Sequence, residues 1–164
     1  MPLPRALHAD DRDTVREFLV RRWGTATIML DGRAVDAATL PGYLAHDEDG
    51  AIAGLITLLD DAAQSESEIV TLDAVAAQSG LGTRLLDCAV ERAASFGIAR
   101  LLTRTTNDNL DALRFYQRRG FALLRLMPGA IDREREADPR VPLIGRYGIA
   151  LRDEITLVRV LGGA

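Results

Sequence analysis

The chain has no lysine: all twenty basic residues are arginines, spread along the sequence and outnumbered by 24 Asp and Glu, for a net charge of −4. A general nucleic-acid or membrane-surface binder carries a basic excess, so neither partner is expected. The single cysteine, Cys88, excludes an internal disulfide and falls in a helical pattern as a small filler. Two isolated histidines, His8 and His46, supply no metal-ligand spacing, so no metal is expected. No apolar run approaches the ~18–20 residues of a membrane span. The opening Met-Pro-Leu-Pro-Arg lacks the apolar core of a signal peptide. These absences predict a soluble cytoplasmic protein.

What is present is an ordinary globular balance, 48% hydrophobic and 27% charged over 164 residues. That length predicts one domain, residues 1–164, able to bury about two thirds of its unfolded surface. Asp10 or Asp11 is placed to cap a helix running to about Trp23, with Val15, Phe18, Leu19 and Trp23 at helical spacing and Gly24 as the stop. Thr25–Leu30 reads as a strand. Residues 43–46 and 51–59 read as a hairpin around Asp47-Glu48-Asp49-Gly50, and 68–75 as the next strand.

The stretch Gln78-Ser79-Gly80-Leu81-Gly82-Thr83 then leads from strand into helix. A helix start leaves backbone N–H groups without intrahelical acceptors and points its positive dipole end outward. Glycines there admit close approach, so the turn suits a phosphate or pyrophosphate, although the same hexapeptide also serves as a plain tight turn. The helix over 80–96 places Leu81, Leu85, Leu86, Ala89, Val90 and Ala93 on one side, with Asp87, Glu91 and Arg92 away from it. Gly97 and Ile98 fit a Schellman-type end. A strand over 100–106 follows, then a helix with Asn109 as N-cap, closing at Gly120, and a strand over 121–127. The mixed-charge run 132–136 reads as a locally helical, solvated face, and 155–160 as the final strand.

Residues 70–126 resemble the GNAT superfamily of N-acetyltransferases. In that family a strand enters a pyrophosphate-binding turn of the form Q/R-x-x-G-x-G/A. Here Ala77-Gln78-Ser79-Gly80-Leu81-Gly82 carries both glycines but has Ala77 at the first position, with Gln78 one residue late. The run Asn109-Leu110-Asp111-Ala112-Leu113-Arg114-Phe115-Tyr116-Gln117-Arg118-Arg119-Gly120-Phe121 is similar to the family's N-x-x-A-x-x-x-Y-x-x-x-G-F element at all five signature positions. Within the family the whole chain resembles a bacterial group that carries Glu-Ile-Val-Thr-Leu-Asp before the turn (68–73), Pro-Gly-Ala (128–130), and Arg-Asp-Glu-Ile near the C-terminus (152–155).

The resemblance implies an α+β, three-layer GNAT fold: a central, mixed, mostly antiparallel sheet of about six to seven strands, with about four helices on both faces. It implies acetyl transfer from acetyl-CoA, as co-substrate, to an amine acceptor, in a monomer or homodimer. Such chemistry needs an N–H near the thioester oxygen, a proton donor near sulfur and a path for the amine's proton. The resemblance assigns coenzyme contacts to Leu72, Asp73 and Val75 through their backbone, to Gln78, Ser79, Gly80, Leu81, Gly82 and Thr83 in the turn, and to Asn109, Ala112 and Tyr116. Tyr116 is the implied general acid, though a helical tyrosine beside a core Phe115 needs no such role. Asn109 is equally explained by capping. Glu68 is a candidate proton relay, or a salt-bridged strand residue. Asp73 fits a carboxylate that stabilises the turn, and Trp23 and Tyr43 could line an acceptor pocket. The departure at Ala77 and the lack of an evident base leave a second reading, a non-catalytic acyl-CoA-binding or regulatory domain.

Overall fold

The computed structural model describes residues 1–162. The chain divides into two compact units, Met1–Ala99 and Arg100–Ala164. The first holds β1 (Arg5–Ala6), α1 (Arg12–Trp23), β2 (Thr27–Leu30), β3 (Arg33–Asp36), β4 (Gly42–His46), β5 (Ile52–Asp61), β6 (Glu66–Ala74) and α2 (Leu81–Ser95). The second holds β7 (Arg100–Thr106), α3 (Leu110–Gln117), β8 (Ala122–Met127), α4 (Ala130–Ala137) and β9 (Glu154–Val160). The fold class expected from the sequence is borne out. Seven strands belong to the main sheet, a separate β2–β3 hairpin adds two, and four α-helices accompany them among the described residues.

In the first unit the strand order is β1-β4-β5-β6, antiparallel throughout. Val15, Phe18 and Leu19 of α1 are buried in one core with Leu44, Leu55 and Val70. Neighbouring residues of a strand face opposite sides, and on the side away from Leu55 a Cβ at Gly54 would lie 2.8 Å from Leu81 and 2.9 Å from Leu85. Gly54 therefore lets α2 seat closely on β5, leaving α1 and α2 on opposite faces of this part of the sheet.

Local expectations mostly hold, with instructive departures. The Asp11 carboxylate accepts no hydrogen bond from the first turn of α1; it accepts instead from the Arg5 guanidinium at 2.7 and 2.8 Å and from the His8 N–H at 2.8 Å. α2 ends as expected, with Gly97 at φ 69° and the Ile98 N–H on the Ala93 carbonyl at 2.9 Å. Val90 is only half-buried, and Arg92 does not point freely into water. Its guanidinium reaches along the sheet to Asp60, at 3.0 and 2.8 Å, because a long stem can lie on apolar surface while its charged end finds a partner.

In the second unit the C-terminal strand β9 lies between β7 and β8, antiparallel to both. The charged run 132–136 is helical, within α4. The Pro-Gly-Ala and Arg-Asp-Glu segments meet here: the Gly129 N–H donates to Asp153 at 2.8 Å and the Ile131 N–H to the Arg152 carbonyl at 2.9 Å.

Candidate active site

In the first unit the candidate residues sit where β6 ends and α2 begins. Across from β6, Thr57 faces Thr71 but Leu58 faces Ile69, so Val70 is an extra, bulged residue. The buried Thr57 and Thr71 hydroxyls share a hydrogen bond of 2.7 Å and pin the register beside the bulge. A bulge re-aims every side chain beyond it. Glu68, half-buried opposite Leu59, therefore shares a face with Thr71 and Asp73, whereas uninterrupted alternation would put it on the opposite face from both.

The same pairing sorts the backbone of the strand end. In an antiparallel pair, alternate residues direct both N–H and C=O at the partner strand. The Val75 N–H donates to the Ala53 carbonyl at 2.8 Å, and Asp73, opposite Leu55, has the same parity. Leu72 and Ala74 then direct their main-chain groups away from β5. Of the three backbone candidates, Leu72 has an outward N–H, whereas those of Asp73 and Val75 are spent on β5. Ala74 has the same parity as Leu72. Sequence alternation alone could not find it, because the bulge at Val70 resets the count.

The turn that follows carries the chain from β6 into α2. Gln78 (φ 60°) and Gly80 (φ 82°) are left-handed, and Gly80 is the N-cap of α2. Ser79 donates its hydroxyl to the Ala76 carbonyl at 2.9 Å, closing the turn on itself. The first bond of α2 runs from the Arg84 N–H to the Gly80 carbonyl; just before it the Leu81 N–H donates to the Ser79 hydroxyl at 3.4 Å, and Gly82 lies in the first turn, where a helix offers its N–H groups no intrahelical acceptor. Leu81 keeps its side chain buried under the turn. Gln78 and Gly80 both precede Leu81, the first residue of α2.

In the second unit Asn109 caps α3, its Oδ1 accepting the Ala112 N–H at 3.2 Å. The same oxygen accepts from the Arg146 guanidinium at 3.0 Å. Arg146 is itself held by its backbone N–H on the buried carboxylate of Asp108, at 2.7 Å. Tyr147, left-handed at φ 57°, donates its hydroxyl to Asp111 at 2.7 Å. Nothing in the sequence pattern tied residues 145–148 to the start of α3.

Tyr116, rather than Phe115, is the buried residue of α3; Phe115 is half-buried. The Tyr116 ring meets Phe115 and Phe121 edge-on, with centroids 5.2 and 5.1 Å apart. Burial pushes its phenol up to about 12, against the opposing pull of a hydrogen bond with Thr103. A phenol so placed keeps its proton throughout the neutral range.

A model of the acetyltransferase (GNAT) family matches residues 10–121. The chain belongs to that family. A curated relative, the uncharacterized protein YxbD of Bacillus subtilis (strain 168), is 36% identical over 150 residues, 92% of this chain and 93% of the relative. Among solved structures, an IAA acetyltransferase from Bacillus cereus ATCC 14579 superposes with a TM-score of 0.74 at 23% identity, covering 98% of this chain and all of that one. A Bacillus subtilis acetyltransferase in complex with CoA gives a TM-score of 0.70 at 20% identity, covering 99% of this chain and all of that one. At these identities the two structures speak for the GNAT fold. No helix among the described residues is long and apolar enough to cross a membrane.

Proposed function

We propose that this GNAT protein transfers the acetyl group of acetyl-CoA to an amine by direct attack on the thioester. The observation that carries the reading is the turn 78–83, where two left-handed residues, Gln78 and Gly80, lead into the N-terminus of α2 and its positive dipole end. That chemistry suits a pyrophosphate. It also answers the departure at Ala77: the phosphates are held by main-chain N–H groups and the helix dipole, with no side chain needed at that position. The CoA complex of the Bacillus subtilis neighbour supports the same choice of ligand.

The amine nitrogen, once neutral, attacks the carbonyl carbon and forms the amide C–N bond. Negative charge gathers on the carbonyl oxygen, and the outward N–H groups of Leu72 and Ala74 are the donors assigned to it. The C–S bond breaks and its electrons leave with sulfur. Tyr116 is the donor assigned to that sulfur. A phenol near 12 holds its proton more tightly than a thiol of about 8.5, so Tyr116 serves by hydrogen-bonding the thiolate as it forms. Glu68 takes the amine's proton by way of water, and Asn109 caps α3 and contacts the coenzyme. The test is thiol release from acetyl-CoA across a panel of amines. Release that requires both protein and amine supports the proposal; coenzyme binding without turnover on any amine favours a non-catalytic acyl-CoA-binding domain.

A further inference from the structure

Asp73 is the residue whose side chain the proposed chemistry leaves unused, and it is strongly held. Its carboxylate accepts Arg22 Nε at 3.0 Å, Arg22 Nη2 at 2.7 Å and Trp23 Nε1 at 2.8 Å. The side chain is 9% exposed, and its partners lie 51 and 50 residues away in sequence, in the last turn of α1. With three donors on it, this carboxylate is committed to Arg22 and Trp23. It also does not brace the glycine turn; it ties the strand end to a helix.

We propose that Asp73 is a positioning residue: the Arg22–Trp23 clamp on its carboxylate fixes the direction of the strand end that carries the Leu72 and Ala74 main-chain groups. The inference rests on the role given to those groups above. Three observations support it. The post is rigid, since Val15, Phe18 and Leu19 bury the rest of α1 in the core. The clamp falls at the right place, because Asp73 lies between Leu72 and Ala74 and forms a pair with Leu55, just before the chain leaves β5 for the turn. An ion pair with one partner exposed, as Arg22 is at 39%, adds little to stability by itself. A bidentate fork with an added indole N–H is a good device for fixing an angle. Main-chain donors lose their effect on a transition state when displaced by about 1 Å.

The test uses Asp73→Asn, which keeps the shape and an acceptor oxygen, together with Arg22→Met, Arg22→Lys, Trp23→Phe and the Arg22→Met/Asp73→Asn double variant. Turnover is measured with an amine the wild type accepts, CoA affinity by calorimetry, and amide hydrogen exchange at residues 72–75. We expect kcat to fall at least about tenfold in Asp73→Asn and Arg22→Met, with acetyl-CoA KM and CoA affinity within about threefold. Arg22→Lys restores charge but not the fork and recovers only part. The double variant is no worse than the poorer single one, because both remove the same clamp. Exchange at 72–75 quickens while the rest of β6 is unchanged. The proposal is overturned by a kcat within about twofold of wild type, or by a loss that vanishes on cooling in step with melting. Coenzyme affinity falling in parallel with kcat overturns it too. If the wild type is inactive on every amine, the functional reading fails separately, and unchanged exchange at 72–75 in Asp73→Asn would then overturn the clamp by itself.

Discussion

The hydroxyl of Tyr116 is hydrogen-bonded to Thr103, and both residues are buried. An α3 residue is thereby locked to β7 by its one polar atom, while its ring packs between Phe115 and Phe121. The environment that makes the phenol a persistent donor also makes it part of the second unit's core.

Both roles can be separated with Tyr116→Phe. Losing the hydroxyl leaves the ring in place and Thr103 without this partner, at a cost of about 1 kcal/mol. Turnover should fall about 10²-fold, with much less effect on coenzyme affinity; unchanged turnover removes Tyr116 as the donor. The raised phenol also has a sign. Its folded value, about 12, lies above an ordinary tyrosine's, about 10. Its contribution to stability is thus complete below about 10 and is lost as pH rises toward 12. Chemical denaturation across that range should be less pH-dependent in Tyr116→Phe than in wild type.

At the glycine turn, Gly80→Ala separates backbone strain from crowding. An added Cβ meets only the flexible Met1 side chain, at 3.7 and 3.8 Å, so no clash is expected. The cost is the left-handed φ of 82°, about 1 kcal/mol. Thermal melting should show that modest loss, and CoA affinity should drop further because the methyl group stands at the phosphate approach. Unaltered CoA affinity would place the phosphates elsewhere.

Acid should weaken the contact between β5 and α2. The Arg92 guanidinium on Asp60, aided by the Ser67 hydroxyl and opposed by burial, holds that carboxylate below the usual range. A depressed carboxylate stabilises the fold above its unfolded value near 4, and the contribution is lost as pH falls through the folded value. Melting curves of Asp60→Asn between pH 7 and 3 should fall less steeply than those of wild type. Parallel curves would show that the pair contributes nothing to the acid response.

Much of the fold was legible because its signals are local. The periodicity of 81–93, the Gly97-Ile98 stop and the Asn109 cap each need only a few neighbouring residues, and each is present in the structure. What was hidden depends on pairing at long range. The bulge at Val70 is defined by the register against β5, so neither the outward parity of Ala74 nor the face of Glu68 could be counted from the strand itself. The Asp73 clamp joins residues some fifty positions apart, and a carboxylate before a turn looks locally like a turn residue. Tyr116 and Phe115 exchanged their expected burial because two adjacent aromatics on a short helix offer either face to a core. The contact of Arg146 with Asn109 crosses a segment with no strong periodicity, and nothing local announces it.

The most direct test of the whole account is acetyl-CoA binding to the wild-type protein, followed by melting temperature and calorimetry. A ligand that binds only the native state stabilises it by about 2.7 kcal/mol at a hundredfold excess over Kd. A saturable upward shift in melting temperature with acetyl-CoA is expected, diminished in Gly80→Ala. No shift and no heat at millimolar acetyl-CoA would contradict it.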